Sequence, residues 1–193
     1  FHASDAGIAL ELTDKGAATA DILDATSKIT VLHALNNIPN GIQAYSMDME
    51  GLVETSLNMG IMSMDGENLK MSFAVRSSIE SAKQYLTDKV LMFVDMLGGS
   101  CELKGDYPGW AYNPKSDLRE TFVKVYREMY ESEPVVEAIH AGLECGLFTK
   151  KIEDLDSISV GPNMHNVHTS EETLEVASVQ RTWEFLCRVI AEK

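Results

Sequence analysis

The sequence predicts two successive parts, an α+β arrangement with an antiparallel sheet and then an α/β arrangement with a mostly parallel sheet. In the first part, residues 57–61 and 69–75 alternate between apolar and polar, and the favoured hairpin turn Asp65-Gly66 lies between them. In the second part, helical apolar stripes alternate with short apolar runs. The Gly/Pro/aromatic segment 105–110 separates the two patterns.

Two predicted helices flank the hairpin of the first part. Residues 19–36 form the first, and Asn37 with the following Pro39 and Gly41 indicates its end. Its apolar side is predicted to carry Ile22, Ile29 and Leu32. The second helix covers residues 78–97 and has apolar residues at spacings of three and four: Ile79, Ala82, Leu86, Val90, Phe93 and Leu97. A further strand is predicted near Ser100 to Lys104.

The alternation in the hairpin predicts which side chains face the core. One face carries the apolar residues of both runs: Leu57, Met59, Ile61, Leu69, Met71, Phe73 and Val75. The opposite face of the second run carries Lys70, Ser72, Ala74 and Arg76. Because side chains alternate with a period of two, Arg76 is predicted to point away from the packed face.

The second part is predicted to run helix, strand, helix, strand, helix. Ser116 or Asp117 caps its first helix, whose apolar stripe is Leu118, Phe122, Val125 and Met129. Short buried strands are predicted at Val135 to Ile139 and at Ser157 to Val160, with a brief helix at residues 143–150 between them. The last helix has a stripe formed by Val176, Val179, Trp183, Leu186 and Ile190. The boundary between the parts is placed at residues 109–116.

Composition excludes several classes of partner. The 16 basic and 30 acidic residues give a net charge of −14, so nucleic acids and anionic membrane surfaces are disfavoured as partners. The three cysteines, Cys101, Cys145 and Cys187, have no paired spacing, which favours a reducing, cytoplasmic setting. No apolar run approaches the roughly 20 residues that span a bilayer, and no signal-peptide pattern opens the sequence.

Two polar segments follow the predicted strands of the second part, where ligand-binding groups of α/β sheets usually lie. Residues 138–146 contain His140 and Glu144, and residues 161–172 contain His165 and His168. Imidazole and carboxylate are zinc ligands. The spacing matches no recognised metal motif, so a polar surface loop remains the alternative. Equally, His140 could be a hydrogen-bonded histidine at a strand end and Arg76 a solvated strand residue.

Six strings resemble the C-terminal portion of the aminoacyl-histidine dipeptidases (peptidase D): NNIPNGIQ, EGLVETSLNMG, FAVRSSIES, GDYPGW, IHAGLECGLF and SISVGPNMHNVHTSEE. That family belongs to a dinuclear-zinc clan that also contains carnosinases and aminoacylases. The resemblance covers the chain from about residue 30 onward. It implies that residues 1–110 are the second half of an α+β lid domain used for dimerisation and substrate gripping. Residues 111–193 would then be the C-terminal edge of a phosphorylase/hydrolase-like zinc-peptidase α/β sheet.

The resemblance also implies roles for individual residues. His168 matches a metal ligand of the family, although Ser170 stands where proline is usual. Arg76, in the Val-Arg-Ser string, would grip the C-terminal carboxylate of the substrate, because a guanidinium matches that group bidentately. The pocket loop would be formed by His140, Gly142 and Glu144.

The implied activity is hydrolysis of short peptides, expected to end in histidine, by water that zinc or other divalent ions activate. The remaining metal ligands and the general base of the family have no match upstream. The chain alone is therefore expected to be inactive and to be a fragment of a longer, cytoplasmic enzyme. The expected partners are a small peptide substrate and, through the lid, a second copy. The alternatives are another enzyme of the clan (a carnosinase, tripeptidase or deacylase) and a non-enzymatic dimerisation module.

Overall fold

The structure is a computed structural model that describes residues 6–17, 19 and 21–192. Its helices are α1 (Ala25–Asn37), α2 (Glu80–Met96), α3 (Asp117–Tyr130), α4 (Glu144–Lys151) and α5 (Val176–Ala191). Its strands are β1 (Gly41–Tyr45), β2 (Val53–Asp65), β3 (Asn68–Ser77), β4 (Met164–His165) and β5 (Thr173–Leu174). The mixed α and β content that the sequence predicts is confirmed.

The predicted hairpin is formed by β2 and β3. The two strands pair antiparallel from Thr55 opposite Ser77 to Asp65 opposite Asn68. Strand β1 pairs with the other side of β2, so the sheet order is β1-β2-β3. Alternate side chains of β3 are half-buried, and Arg76 lies on the exposed face. Its predicted orientation is confirmed.

A β-bulge at Gly60 divides β2. Met59 pairs with Phe73, whereas Ile61 pairs with Ser72, so the register shifts by one residue between the two pairs. Such an extra residue exchanges the faces on which the following side chains lie. Leu57 is consequently fully buried while Ile61 is 63% exposed. The prediction that Ile61 shares the packed face is wrong for this reason.

Helix α2 packs on the sheet, and α1 lies beside α2. The buried cluster there consists of Ala34, Ile38, Leu57, Leu86 and Val90. Side chains from β3 and from the end of α2 surround it: Met71, Phe73, Val75, Phe93, Val94 and Leu97. Leu86, Val90, Phe93 and Leu97 of the predicted stripe therefore face the core, because a spacing of three and four keeps them on one side of the helix. Ile79 precedes the helix and is 37% exposed, so the prediction is wrong there.

Helix α1 is shorter than predicted and buries a different side. It begins directly after Asp24 rather than at residue 19. The Asp24 carboxylate accepts hydrogen bonds from two backbone N–H groups of the first turn, at 2.8 and 3.0 Å. Ile29 and Leu32 are 54% and 48% exposed, whereas Ala34 is buried. Ala34 joins the cluster that contains Leu86 and Val90 of α2, and the larger apolar side chains of α1 are left at the surface.

Helices α3 and α5 form a second core. Val125 is fully buried between them, next to Phe185 and Val189. The rings of Phe122 and Phe185 meet edge to face with their centroids 5.4 Å apart. The Ser116 hydroxyl accepts the backbone N–H of the third helical residue at 3.0 Å, so the predicted cap of α3 is confirmed.

The buried side of α5 differs from the predicted stripe. Trp183 and Ile190 are 68% and 73% exposed, whereas Phe185 and Val189 are buried. Helix α5 has apolar residues on more than one side, so its periodicity does not choose between them. The aromatic contacts with α3 select the side that carries Phe185.

Three predicted strands are not formed. Residues 100–104, 135–139 and 157–160 have no regular secondary structure. A strand exists through pairing with a neighbour, and in the described part of the chain these residues pair with no other strand. The parallel sheet predicted for the second part is consequently absent from residues 6–192 as described. That part instead forms a small antiparallel pair, β4 with β5. None of the described helices is both long enough and apolar enough to cross a membrane.

The Gly60 bulge allows a matched test of the sheet. We expect Leu57→Ala to lower the free energy of unfolding by about 2–5 kcal/mol, because it empties a fully buried site. Ile61→Ala lies in the same strand but on the exposed side, so we expect a change of less than about 1 kcal/mol. Urea unfolding measures both. Equal losses from the two substitutions would contradict the shifted register.

Candidate functional site

Arg76 lies on the exposed face of the β2–β3 hairpin, here called the open face, directly opposite Ser56. The sequence has five arginines. Four of them contact a carboxylate: Arg119, Arg127, Arg181 and Arg188. Arg76 has no such contact among the residues that the structure describes. In a chain with a net charge of −14, this guanidinium remains available to an anion from outside.

His140 lies beside Arg76. Its Nε2 atom is 2.7 Å from the Ser56 Oγ atom, a hydrogen bond between residues 84 positions apart. Burial lowers the pKa of the His140 imidazole, and the positive charge of Arg76 lowers it further. Both effects favour the neutral ring over the charged one. The predicted pocket residue and the predicted carboxylate anchor are thus brought together through Ser56.

The segment 105–110 holds the pocket loop in place. The Lys83 ammonium, on α2, donates to the Asp106 carboxylate at 2.6 Å and to the Tyr107 carbonyl at 2.8 Å. On its other side, the Tyr107 ring packs against Gly142, where an added Cβ atom would lie 2.9 Å from Cδ1. The loop can lie this close to the ring because residue 142 has no side chain.

Glu144 is the first residue of α4, and its side chain is exposed. Burial raises the pKa of the Tyr107 phenol, and the nearby carboxylate of Glu144 raises it further. A carboxylate at the first turn of a helix is also favoured by the helix dipole. The four residues predicted for substrate binding therefore lie around Ser56 and Tyr107, two residues that the sequence argument did not single out.

His168 lies in a separate loop and is exposed. Its backbone has φ of 67°, and its N–H donates to the Glu172 carboxylate at 2.8 Å. That bond helps to hold a conformation that non-glycine residues rarely adopt. No contact in the described part of the chain joins His168 to Arg76 or His140.

The described residues do not provide a complete metal site. They contain no group of three or more histidine, cysteine, aspartate or glutamate side chains placed to hold an ion. Zinc sites in proteins use three or four protein ligands. His168 could supply one imidazole, and His165 on β4 is exposed near the Glu175 carboxylate, which already pairs with Arg181. The described residues by themselves therefore do not form a zinc site.

The contact between Gly142 and Tyr107 gives a testable prediction. We expect Gly142→Ala to lower the free energy of unfolding by about 1–3 kcal/mol, because the ring must move to admit the new methyl group. In a Tyr107→Ala background, Gly142→Ala should lower the free energy of unfolding by clearly less. Gly161→Ala is the control, since nothing lies within 4 Å of a Cβ atom there. Thermal unfolding of these variants measures the coupling, and equal costs in both backgrounds would contradict the packing.

No protein-family model matches the chain. The chain is 34% identical over 181 residues to the cytosol non-specific dipeptidase of Escherichia coli (strain K12), covering 94% of the chain and 37% of that protein. The structure of this chain matches the crystal structure of aminoacylhistidine dipeptidase from Vibrio alginolyticus with a TM-score of 0.82 and 30% identity. That match covers 93% of this chain and 37% of the other.

The chain thus spans little more than a third of the length of the relatives that it matches. Both alignments nevertheless cover nearly all of this chain. The resemblance inferred from the sequence strings is confirmed: the chain is a homologue of the C-terminal part of these dipeptidases.

Proposed function

We propose that the chain forms the C-terminal part of a metal-dependent dipeptidase in which Arg76 binds the C-terminal carboxylate of a short peptide. The observation that carries this proposal is the Arg76 guanidinium, which has no carboxylate partner among the described residues and lies next to His140 on the open face. A guanidinium binds a carboxylate through two parallel hydrogen bonds. The homology to two dipeptidases supports the reaction class.

The pocket loop is proposed to contact the C-terminal residue of the peptide. His140 lies next to the carboxylate anchor, and the Tyr107 ring packs against Gly142 and lies near Glu144. The exposed Glu144 carboxylate suits a basic or hydrogen-bond-donating side chain such as imidazole. This supports Xaa-His dipeptides as substrates. The names of the two relatives differ on this point, since one specifies aminoacylhistidine and the other is non-specific.

His168 is proposed as a ligand of one of two divalent ions, with zinc as the proposed metal. A bound metal of this kind would supply an activated water for attack on the peptide carbonyl. Because the described residues contain no ligand cluster, the other ligands and the general base are proposed to come from residues outside this chain. On this proposal the 193-residue chain alone has no peptidase activity.

Dimerisation through the first part is a second proposal that is compatible with the enzyme. Ile29, Leu32 and Ile42 are 54%, 48% and 49% exposed there, which leaves apolar surface that a second copy could cover. A cytoplasmic location is also proposed, supported by the word "cytosol" in the name of the Escherichia coli relative.

Substitution of Arg76 in the full-length natural protein tests whether this residue binds the carboxylate of the peptide. We expect Arg76→Ala to raise KM for an Xaa-His dipeptide by roughly 10- to 100-fold, because a charged hydrogen-bonded pair is lost. The KM of Arg76→Lys should lie between those of the wild type and Arg76→Ala, since an ammonium lacks the fork geometry of a guanidinium. The control is Arg127→Ala, which removes an exposed arginine on α3 paired with Glu133. A KM unchanged by Arg76→Ala in an active enzyme would refute the assignment.

The role of His168 is tested with its neighbour His165 as the matched control. Both side chains are exposed in the loop region between residues 161 and 175. We expect His168→Ala to lower the amount of tightly bound metal and to reduce kcat by at least about 100-fold, because a lost ligand weakens the ion that activates water. His165→Ala should retain both properties. Elemental analysis and hydrolysis assays measure them, and similar behaviour of the two variants would argue against His168 as a ligand.

A further inference from the structure

We propose that Ser56 is a positioning residue that holds His140 in the tautomer with its proton on Nδ1. In that tautomer, His140 would offer the substrate carboxylate a second hydrogen-bond donor beside Arg76. The inference rests on the proposed function, in which Arg76 binds this carboxylate. It adds that Ser56 orients His140 and that His140 binds the carboxylate through Nδ1.

The position of Ser56 is fixed by its neighbours in the central strand of the sheet. Leu57 is fully buried and Thr55 is 4% exposed, so both flanking side chains point toward the packed face. The Thr55 hydroxyl also hydrogen-bonds the Ser77 hydroxyl at 2.8 Å. Since strand side chains alternate, Ser56 has to point to the open face, where its hydroxyl meets the His140 ring at 2.7 Å. A short bond from a rigid strand is suited to orienting a ring on a loop.

The neutral state of the ring makes its tautomer important. A neutral imidazole carries one proton, so one nitrogen donates and the other accepts. If the Ser56 hydroxyl donates to Nε2, the proton has to lie on Nδ1. No group among the described residues hydrogen-bonds to His140 Nδ1. That atom is therefore available to a ligand.

The chemistry of the proposed ligand favours this tautomer. A carboxylate only accepts hydrogen bonds, and Arg76 only donates them. A protonated Nδ1 adds a donor to the anion site, whereas a bare lone pair there would repel the carboxylate oxygens. A serine hydroxyl can donate or accept a hydrogen bond. On this proposal the Ser56 hydroxyl donates to Nε2, which selects the Nδ1–H tautomer already in the free protein and prepares the site for the carboxylate.

The alternative role for Ser56 is purely structural, as a link between the sheet and the pocket loop. A link of that kind would affect every substrate to the same extent. A residue that orients a carboxylate donor should affect peptides with a free C-terminal carboxylate and leave their C-terminal amides nearly unchanged. The comparison of acid and amide substrates therefore separates the two roles.

The tautomer can be read directly by NMR of the histidine ring nitrogens, with a His140→Asn variant to identify the signals. We expect Nδ1–H in the wild type and in Ser56→Thr, which keeps the hydroxyl, and a mixture of tautomers in Ser56→Ala. The matched control is Ser72→Ala, an exposed serine on the same face of the hairpin. An Nε2–H tautomer in the wild type, or an undisturbed Nδ1–H tautomer in Ser56→Ala, would overturn the proposal.

Kinetics of the full-length enzyme complete the test. We expect Ser56→Ala to raise KM for a dipeptide with a free carboxylate by roughly tenfold, the value of one hydrogen bond to a charged group. Its kcat and its KM for the dipeptide amide should change by less than about twofold, and Ser56→Thr should restore the wild-type KM. Equal effects on acid and amide would overturn the proposal. A wild-type enzyme that hydrolyses neither peptide would instead refute the proposed function, and the tautomer would still decide the role of Ser56.

Discussion

The pairing of β2 with β3, with its bulge at Gly60, is the constraint on which the rest of the structure depends. If the register at Asp65 and Asn68 continued without a bulge, Leu57 would lie opposite Arg76. The shift of one residue instead places Ser56 there and turns Leu57 into the core under α1 and α2. The one extra residue of the bulge therefore places Leu57 in the apolar core and Ser56 on the polar open face.

A second set of contacts connects that face to the later part of the chain. Lys83 holds the segment 105–110 through Asp106 and the Tyr107 carbonyl, and the Tyr107 ring supports the loop at Gly142. The Lys83 ammonium is only partly exposed, and burial is offset by two carboxylate partners that raise its pKa. The position of His140 beside Arg76 thus follows from a rigid segment as well as from its bond to Ser56.

Within the described residues, the second part of the chain contains apolar segments and buried polar atoms that have no partner. The apolar segments 135–139 and 157–160 pair with no strand, and Trp183 and Ile190 lie exposed on α5. The Asp156 Oδ1 and Ser157 Oγ atoms are buried without a hydrogen-bond partner. Buried polar groups normally find partners. The proposal that further residues complete this part of a dipeptidase accounts for all of these features together.

The sequence by itself determined the elements that depend on local signals. Alternation with a Gly turn specified the hairpin and the outward direction of Arg76, spacings of three and four specified α2, and Ser116 specified the start of α3. Motif strings led to the dipeptidase relatives. Only the tertiary structure decided the bulge, the side of α5 that is buried, and the contact of Ser56 with His140. It also decided that three predicted strands find no partner among the described residues. Each of these depends on contacts between residues far apart in sequence, and local periodicity carries no information about such contacts.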